Sequence, residues 1–150
     1  MQIIKDRQIT GDNWRYIADN AELEKGNICV SLARWRQDKQ QLLNHEGKLG
    51  LRIGPDDSVS ELVGDLDKIQ LIELYFPDFA DGRLFSHAWL LRGRYHYQGE
   101  IRAAGHYMPD QVYYLSRVGV NAFKPEKQEN LLVELSYLED FSVKYQQSIN

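Results

Sequence analysis

The stretch IQLIELYFPDFADGRLFSHAWLL, Ile69 to Leu91, decides the fold. Its first eight residues are almost continuously apolar, the pattern of a strand covered on both faces. Leu84, Ala88 and Leu91 then share one helical stripe, with Phe85 and Trp89 beside it. An apolar strand followed at once by an amphipathic helix is the repeating unit of a parallel α/β sheet. Pro77, Asp78, Asp81 and Gly82 mark the turn between them.

The same rhythm extends both ways. ICVSL (28–32) reads as a strand, and the helix after it stops at Gly47. KLGLRI (48–53) is the next strand. Ser58 and Glu61 then form a capping-box pattern, opening a helix through Val59, Leu62, Val63 and Leu66. Downstream, EIRAA (100–104) is a strand. Pro109 and Asp110 suit a first helical turn, and Gly119 suits its stop. VNAF (120–123) is a short strand, and Leu131, Leu132, Leu135 and Leu138 mark a final helix. About five βα units follow, giving an α/β fold with a mainly parallel sheet and flanking helices. An open doubly wound sheet is the first expectation, and a partial βα barrel is the alternative. The chain reads as a single α/β domain. Residues 1–27 are expected to form an irregular N-terminal β arm, a hairpin or an edge ribbon followed by Trp14 as anchor. The core is 28–140, and 141–150 is a loosely attached tail.

Composition narrows the function classes. A net charge of −4 over 150 residues argues against general nucleic-acid binding, which needs a basic field. The single cysteine, Cys29, excludes an internal disulfide framework and self-contained ligation of an iron–sulfur cluster. In a buried strand it is expected to be inert. No apolar run is long enough to span a bilayer, and no signal-peptide core is evident. A cytoplasmic protein without membrane association is expected. No dinucleotide fingerprint, P-loop, metal-binding or nucleophile-elbow motif occurs, so no cofactor or metal is expected.

In parallel α/β folds, ligands bind at the carboxyl ends of the strands. That rule selects the 76–86 loop first. Asp81 or Gly82 caps the helix there, and Arg83 and Ser86 lie in its first turn, where free amides and the helix dipole favour anions. Arg83 adds a planar donor fork. Arg102 joins them if its side chain faces the rim. The plainer reading is a capped helix whose Arg83 pairs with Asp78 or Asp81. Asp81 and His106 are the weak catalytic candidates, for proton transfer. His45, His87 and His96 match no metal spacing. RYHYQGEIR, with Arg92 and Arg94, is a basic aromatic patch, either a solvated helix face or a surface for an acidic protein. The tyrosine-rich second half makes a homodimer one reading.

VSLARW, LGLRIGPDD, VGDLDKIQLIELYFPDFADGRLFSHAWLLR, GEIRAAGHYMPDQVYYLSRVGVNAF and LEDFSVKYQ together resemble a bacterial family, domain of unknown function 934. Its members carry an oxidoreductase label tied to sulfite reduction, and are commonly encoded beside assimilatory sulfite reductase. The resemblance adds Pro77, Asp110, Gln111 and Tyr114 to Asp81, Gly82, Arg83 and Ser86 as family-defining positions near strand ends, and Asp78, Asp110 and Gln111 complete the candidate ligand-binding set. It brings no catalytic residues, and whether the chain catalyses a reaction stays open. Reduction of sulfite to sulfide uses sirohaem and a cluster that Cys29 alone cannot ligate. The label is therefore read as naming the pathway. The resemblance thus implies an accessory protein of sulfite or sulfate reduction, binding sulfite reductase or its electron donor without a redox centre of its own. The alternative is a small enzyme binding an anion or nucleotide, acting on a sulfur oxyanion, sulfo- or phospho-compound.

Overall fold

A computed structural model describes residues 1–78 and 82–139. The arm begins with β1 (Gln2–Lys5) and β2 (Gln8–Gly11), an antiparallel hairpin. Its two turn residues, Asp6 and Arg7, both adopt positive φ, as a tight hairpin matching strand twist demands. A two-residue strand, β3 (Arg15–Tyr16), ends the arm's contribution to the sheet.

From β4 (Ile28–Ser31) strands alternate with helical segments. Helix α1 (Leu32–Leu43) starts on Ser31, whose side chain accepts from the Arg34 amide. After β5 (Leu49–Ile53) the chain takes a 3-10 stretch, Val59–Lys68, in place of the expected α-helix. The capping box does not form. Ser58 Oγ lies 2.7 Å from Ser60 Oγ, and Arg36 of α1 takes the Glu61 carboxylate through Nε and Nη2 at 2.6 and 2.8 Å. An ion pair to a neighbouring helix has replaced the local cap. Strand β6 (Leu71–Phe76) precedes α2 (Arg83–Trp89), which widens into a π turn over Leu90–Arg94. Strand β7 (Glu100–Gly105) leads through a 3-10 turn at Pro109–Gln111 into α3 (Val112–Arg117). Strand β8 (Ala122–Pro125) is followed by helix α4, 131–139. The tail at 141–150 lies outside the described residues.

The eight strands form one sheet in the order β2-β1-β8-β7-β6-β5-β4-β3. Strands β3 to β8 pair in parallel, whereas β1 runs antiparallel to both β2 and β8, so the sheet is mixed. The doubly wound expectation fails on strand order. A doubly wound sheet reverses direction at a switch point, but here β3 to β8 follow one another without reversal. Right-handed crossovers that always step the same way place every helix on one face and curl the sheet into a half-barrel. This is the partial-barrel alternative.

The two faces divide by register. Ile28, Leu51, Ile72, Ile101 and Phe123 project to the convex side. With Leu32, Trp35, Leu84, Leu91, Leu115 and Leu131 from the helical layer they form one buried core. The alternate positions face the concave side. Trp14 of the arm packs over that side at Gly50, where its ring lies 3.2 Å from the position a Cβ would take. Glycine there makes room for the anchor. Arg34, buried in α1, fastens the rest of the arm by donating through Nη1 to the carbonyls of Ala18, Asp19 and Ala21.

Candidate functional site

The loops at the carboxyl ends of the strands gather on one rim, which carries Gly82, Arg83 and Ser86 at the start of α2. Asp81 lies outside the described residues. Gly82 caps α2 without a side-chain bond, and Ser86 is exposed. Arg83 forms an ion pair with Asp56 of the loop after β5. His87, one turn further along α2, brings Nε2 to 3.2 Å from the Gly54 carbonyl. Together they bind α2 to that loop. Asp78 is exposed, beyond the end of β6. Gln111 accepts the Met108 amide at 2.7 Å as part of a turn, and Asp110 is exposed beside it. His106 Nδ1 lies 2.8 Å from Glu126 on the surface. Among these residues, Arg83, His87 and Gln111 make the contacts that tie the rim loops.

Arg102 does not turn to the rim. It is 1% exposed in the middle of the concave face. Its Nε donates to Glu100 at 2.9 Å, its Nη2 lies 2.9 Å from the same carboxylate oxygen, and its Nη1 donates to Asp12 of the arm at 3.0 Å. Burial alone would weaken this cation, but Glu100, Asp12 and Glu73 outweigh it and raise its pKa. Asp12 also takes Lys124 of β8 at 3.1 Å. Burial works against charge on Asp12, and Arg102, the Trp14 amide and Lys124 together hold its pKa below the usual carboxylate range.

One register row connects this network to the next. Arg52 of β5, Glu73 of β6 and Arg102 of β7 are direct neighbours across three strands. Arg52 Nε donates to Glu73 Oε1 at 2.6 Å. The Arg52 guanidinium carbon also lies 3.7 Å from the Tyr16 ring centre and 4.6 Å from that of Tyr75. The concave face therefore carries a paired, largely buried ionic layer where the sequence reading saw an apolar strand. Burying charges costs more than apolar packing unless each is paired and hydrogen-bonded, which makes such a layer a candidate site. Its signal was present: a charged residue occupies the same alternating position in LGLRI, LIELYF and EIRAA.

Cys29 lies beneath this layer, fully buried in β4. Burial pushes its thiol well up, with Glu73 adding to the effect. A neutral thiol is a poor nucleophile and a poor ligand. No group of three His, Cys, Asp or Glu side chains among the described residues is placed to hold a metal.

A second surface lies on the helical side. Phe85 of α2, with Tyr114, Arg117 and Val118 of the α3 region, lines an open, mostly apolar groove. Trp89 stands one turn beyond Phe85 on α2 and is 59% exposed; Tyr114 is 58% exposed. The segments 82–99 and 111–121 contain no Asp or Glu in a chain with 22 of them. Arg94 and Arg117 are exposed there. Arg92 is not part of a solvated basic face. It is half-buried and donates to the carbonyls of Tyr97, Gly99 and Gly119, tying the π turn to the bottom of the sheet.

The profile of a family described as bacterial proteins of unknown function, DUF934, matches residues 50–150. The chain belongs to the DUF934 family. No curated protein matches the chain. The matched span of this DUF934 protein contains Arg52, Glu73, Glu100, Arg102 and Lys124 and the whole α2–α3 surface, while Asp12, Trp14 and Tyr16 precede it. No helix among the described residues is long and apolar enough to cross a membrane.

Proposed function

We propose that this DUF934 protein is an accessory protein of assimilatory sulfite or sulfate reduction. It binds a pathway enzyme or its electron donor and has no redox centre of its own. The pathway comes from the family resemblance. The observation that carries the binding role is the α2–α3 surface: Trp89 and Tyr114 stand largely in solvent beside Phe85 and Val118. Exposed Trp and Tyr next to Arg is the composition of interface hot spots. The absence of acidic residues from both segments fits an acidic partner surface. The inert setting of Cys29 agrees with a role outside electron transfer.

The test is titration calorimetry of the purified protein against assimilatory sulfite reductase and, separately, its electron-donor protein. Binding to one of them is expected, weakening with salt because exposed charges are screened. Trp89→Ala and Tyr114→Ala each weaken it about 30-fold, the size of a hot-spot loss of about 2 kcal/mol. Since both side chains are exposed, the variants keep the wild-type melting temperature. Absence of binding to either protein at about 100 μM refutes the proposal.

A further inference from the structure

Arg52 is held in an unusual way. It is the penultimate residue of β5, on the concave face, at the carboxyl end of the strands where barrel folds place ligands. Its Nε is committed to Glu73, and its guanidinium lies over two tyrosine rings, that of Tyr16 from the arm and that of Tyr75 from β6. These contacts fix both the plane and the direction of the group. Its Nη1 and Nη2, however, make no hydrogen bond with a described residue. No buried side-chain nitrogen or oxygen among those residues lacks a partner, so these two donors face solvent. The side chain is 24% exposed, in keeping with an open outer edge. The hydroxyls of Tyr16 and Tyr75 also make no hydrogen bond with a described residue.

We infer that Arg52, flanked by Tyr16 and Tyr75, is a binding site for the oxyanion head of a small ligand. A planar fork with two outward N–H groups matches the paired oxygens of a carboxylate or of a tetrahedral sulfur or phosphorus oxyanion. The two tyrosine rings flank the guanidinium, and their hydroxyls are available as further donors for a ligand large enough to reach them. Prior immobilisation by Glu73 and the rings removes most of the ordering cost that a free arginine would meet on binding. The same arrangement gives Glu73 a purpose. A buried carboxylate in an otherwise apolar strand adds little stability over an apolar residue, but it sets the direction of the arginine. This site is separate from the α2–α3 surface and from Arg83, so its failure leaves the partner-binding proposal untouched.

The test needs no variant at first. In the ¹⁵N-labelled wild-type protein, the Arg52 Nε–Hε resonance is followed while sulfite, sulfate, phosphate and acetate are added in separate titrations at constant ionic strength. Saturable movement with at least one of them is expected. A larger response to the tetrahedral ions identifies a sulfo- or phospho-ligand, and a larger response to acetate identifies a carboxylate ligand. Arg52→Lys, which keeps the charge and loses the fork, then weakens binding by about tenfold, the loss of one charge-assisted hydrogen bond, read in both proteins from the backbone amide resonances of Tyr16, Ile53 and Tyr75. Arg83→Ala leaves it unchanged. No saturable movement with any of the four ions overturns the inference. So does binding retained in Arg52→Lys and lost in Arg83→Ala, which would return the site to the α2 loop.

Discussion

Glu134→Gln isolates a buried carboxyl that opposes folding at neutral pH. Glu134 projects from α4 and is 1% exposed. Among the described residues its one hydrogen-bond partner is Tyr107, whose hydroxyl donates to Oε1 at 2.7 Å. Tyr107 is itself buried, against Phe76 and Phe123. Burial raises the Glu134 pKa to about 7 from an ordinary 4.5, against the smaller, lowering effect of the Tyr107 bond. Between those two values the folded chain binds a proton that the unfolded chain has released. Stability from this group is therefore complete below pH 4.5 and falls as pH rises through 7. The loss across the whole window is about 3 kcal/mol, or about 10 °C in melting temperature for a domain of this size. Glutamine keeps an acceptor for Tyr107 and does not titrate, so its own packing cost is constant with pH. Melting temperatures of wild type and Glu134→Gln, taken by circular dichroism from pH 5 to pH 8, give the difference directly. The variant is expected to gain on wild type by several degrees over that range. A difference that stays flat with pH refutes the reasoning, because the buried carboxyl would then carry no protonation cost.

Two further outcomes follow from the packing. Gly105 ends β7 at φ 87°, and a Cβ there would sit 2.5 Å from the Phe76 carbonyl oxygen. Gly105→Ala is expected to lower the urea midpoint by an amount equal to about 2 kcal/mol or more, from the left-handed backbone and the clash together; an unchanged midpoint contradicts it. Cys29 is expected to resist a thiol reagent in the native protein and to react fully once the chain is unfolded, because burial keeps it neutral. Rapid labelling of the native protein would show that the thiol is accessible and ionised.

The strand–helix rhythm was legible because apolar runs alternate with glycine and proline stops, as at Gly47, Pro109 and Gly119. Strand order was not. Periodicity reports which residues are buried, but nothing in it says whether the next crossover continues or reverses, so doubly wound and half-barrel readings looked alike. The same limit hid the concave face. Ile69 to Phe76 was read as apolar on both sides, yet Glu73 breaks the run, and its meaning appears only once β5 and β7 place Arg52 and Arg102 beside it. Arg92 illustrates the opposite error. It suggested a surface function from its neighbours in sequence. It is engaged instead by distant carbonyls, those of Gly99 and Gly119.

The arm imposes an order on the making of this molecule. Strands β4 to β7 each pair with the strand that follows them, so they can assemble as the chain is synthesised. The β1–β2 hairpin is local and can form first, but its place in the sheet is beside β8, and Gln2 is tied to Gln128 across 126 residues. Contacts that distant close late. Asp12 pairs with Arg102 of β7 and with Lys124 of β8, so the second of its cations arrives only with that strand. A chain stopped before residue 122 would lack Lys124 and the edge on which the hairpin docks, while β3 and Trp14 keep their places on β4 and β5. The hairpin is therefore the part of the arm expected to fasten last.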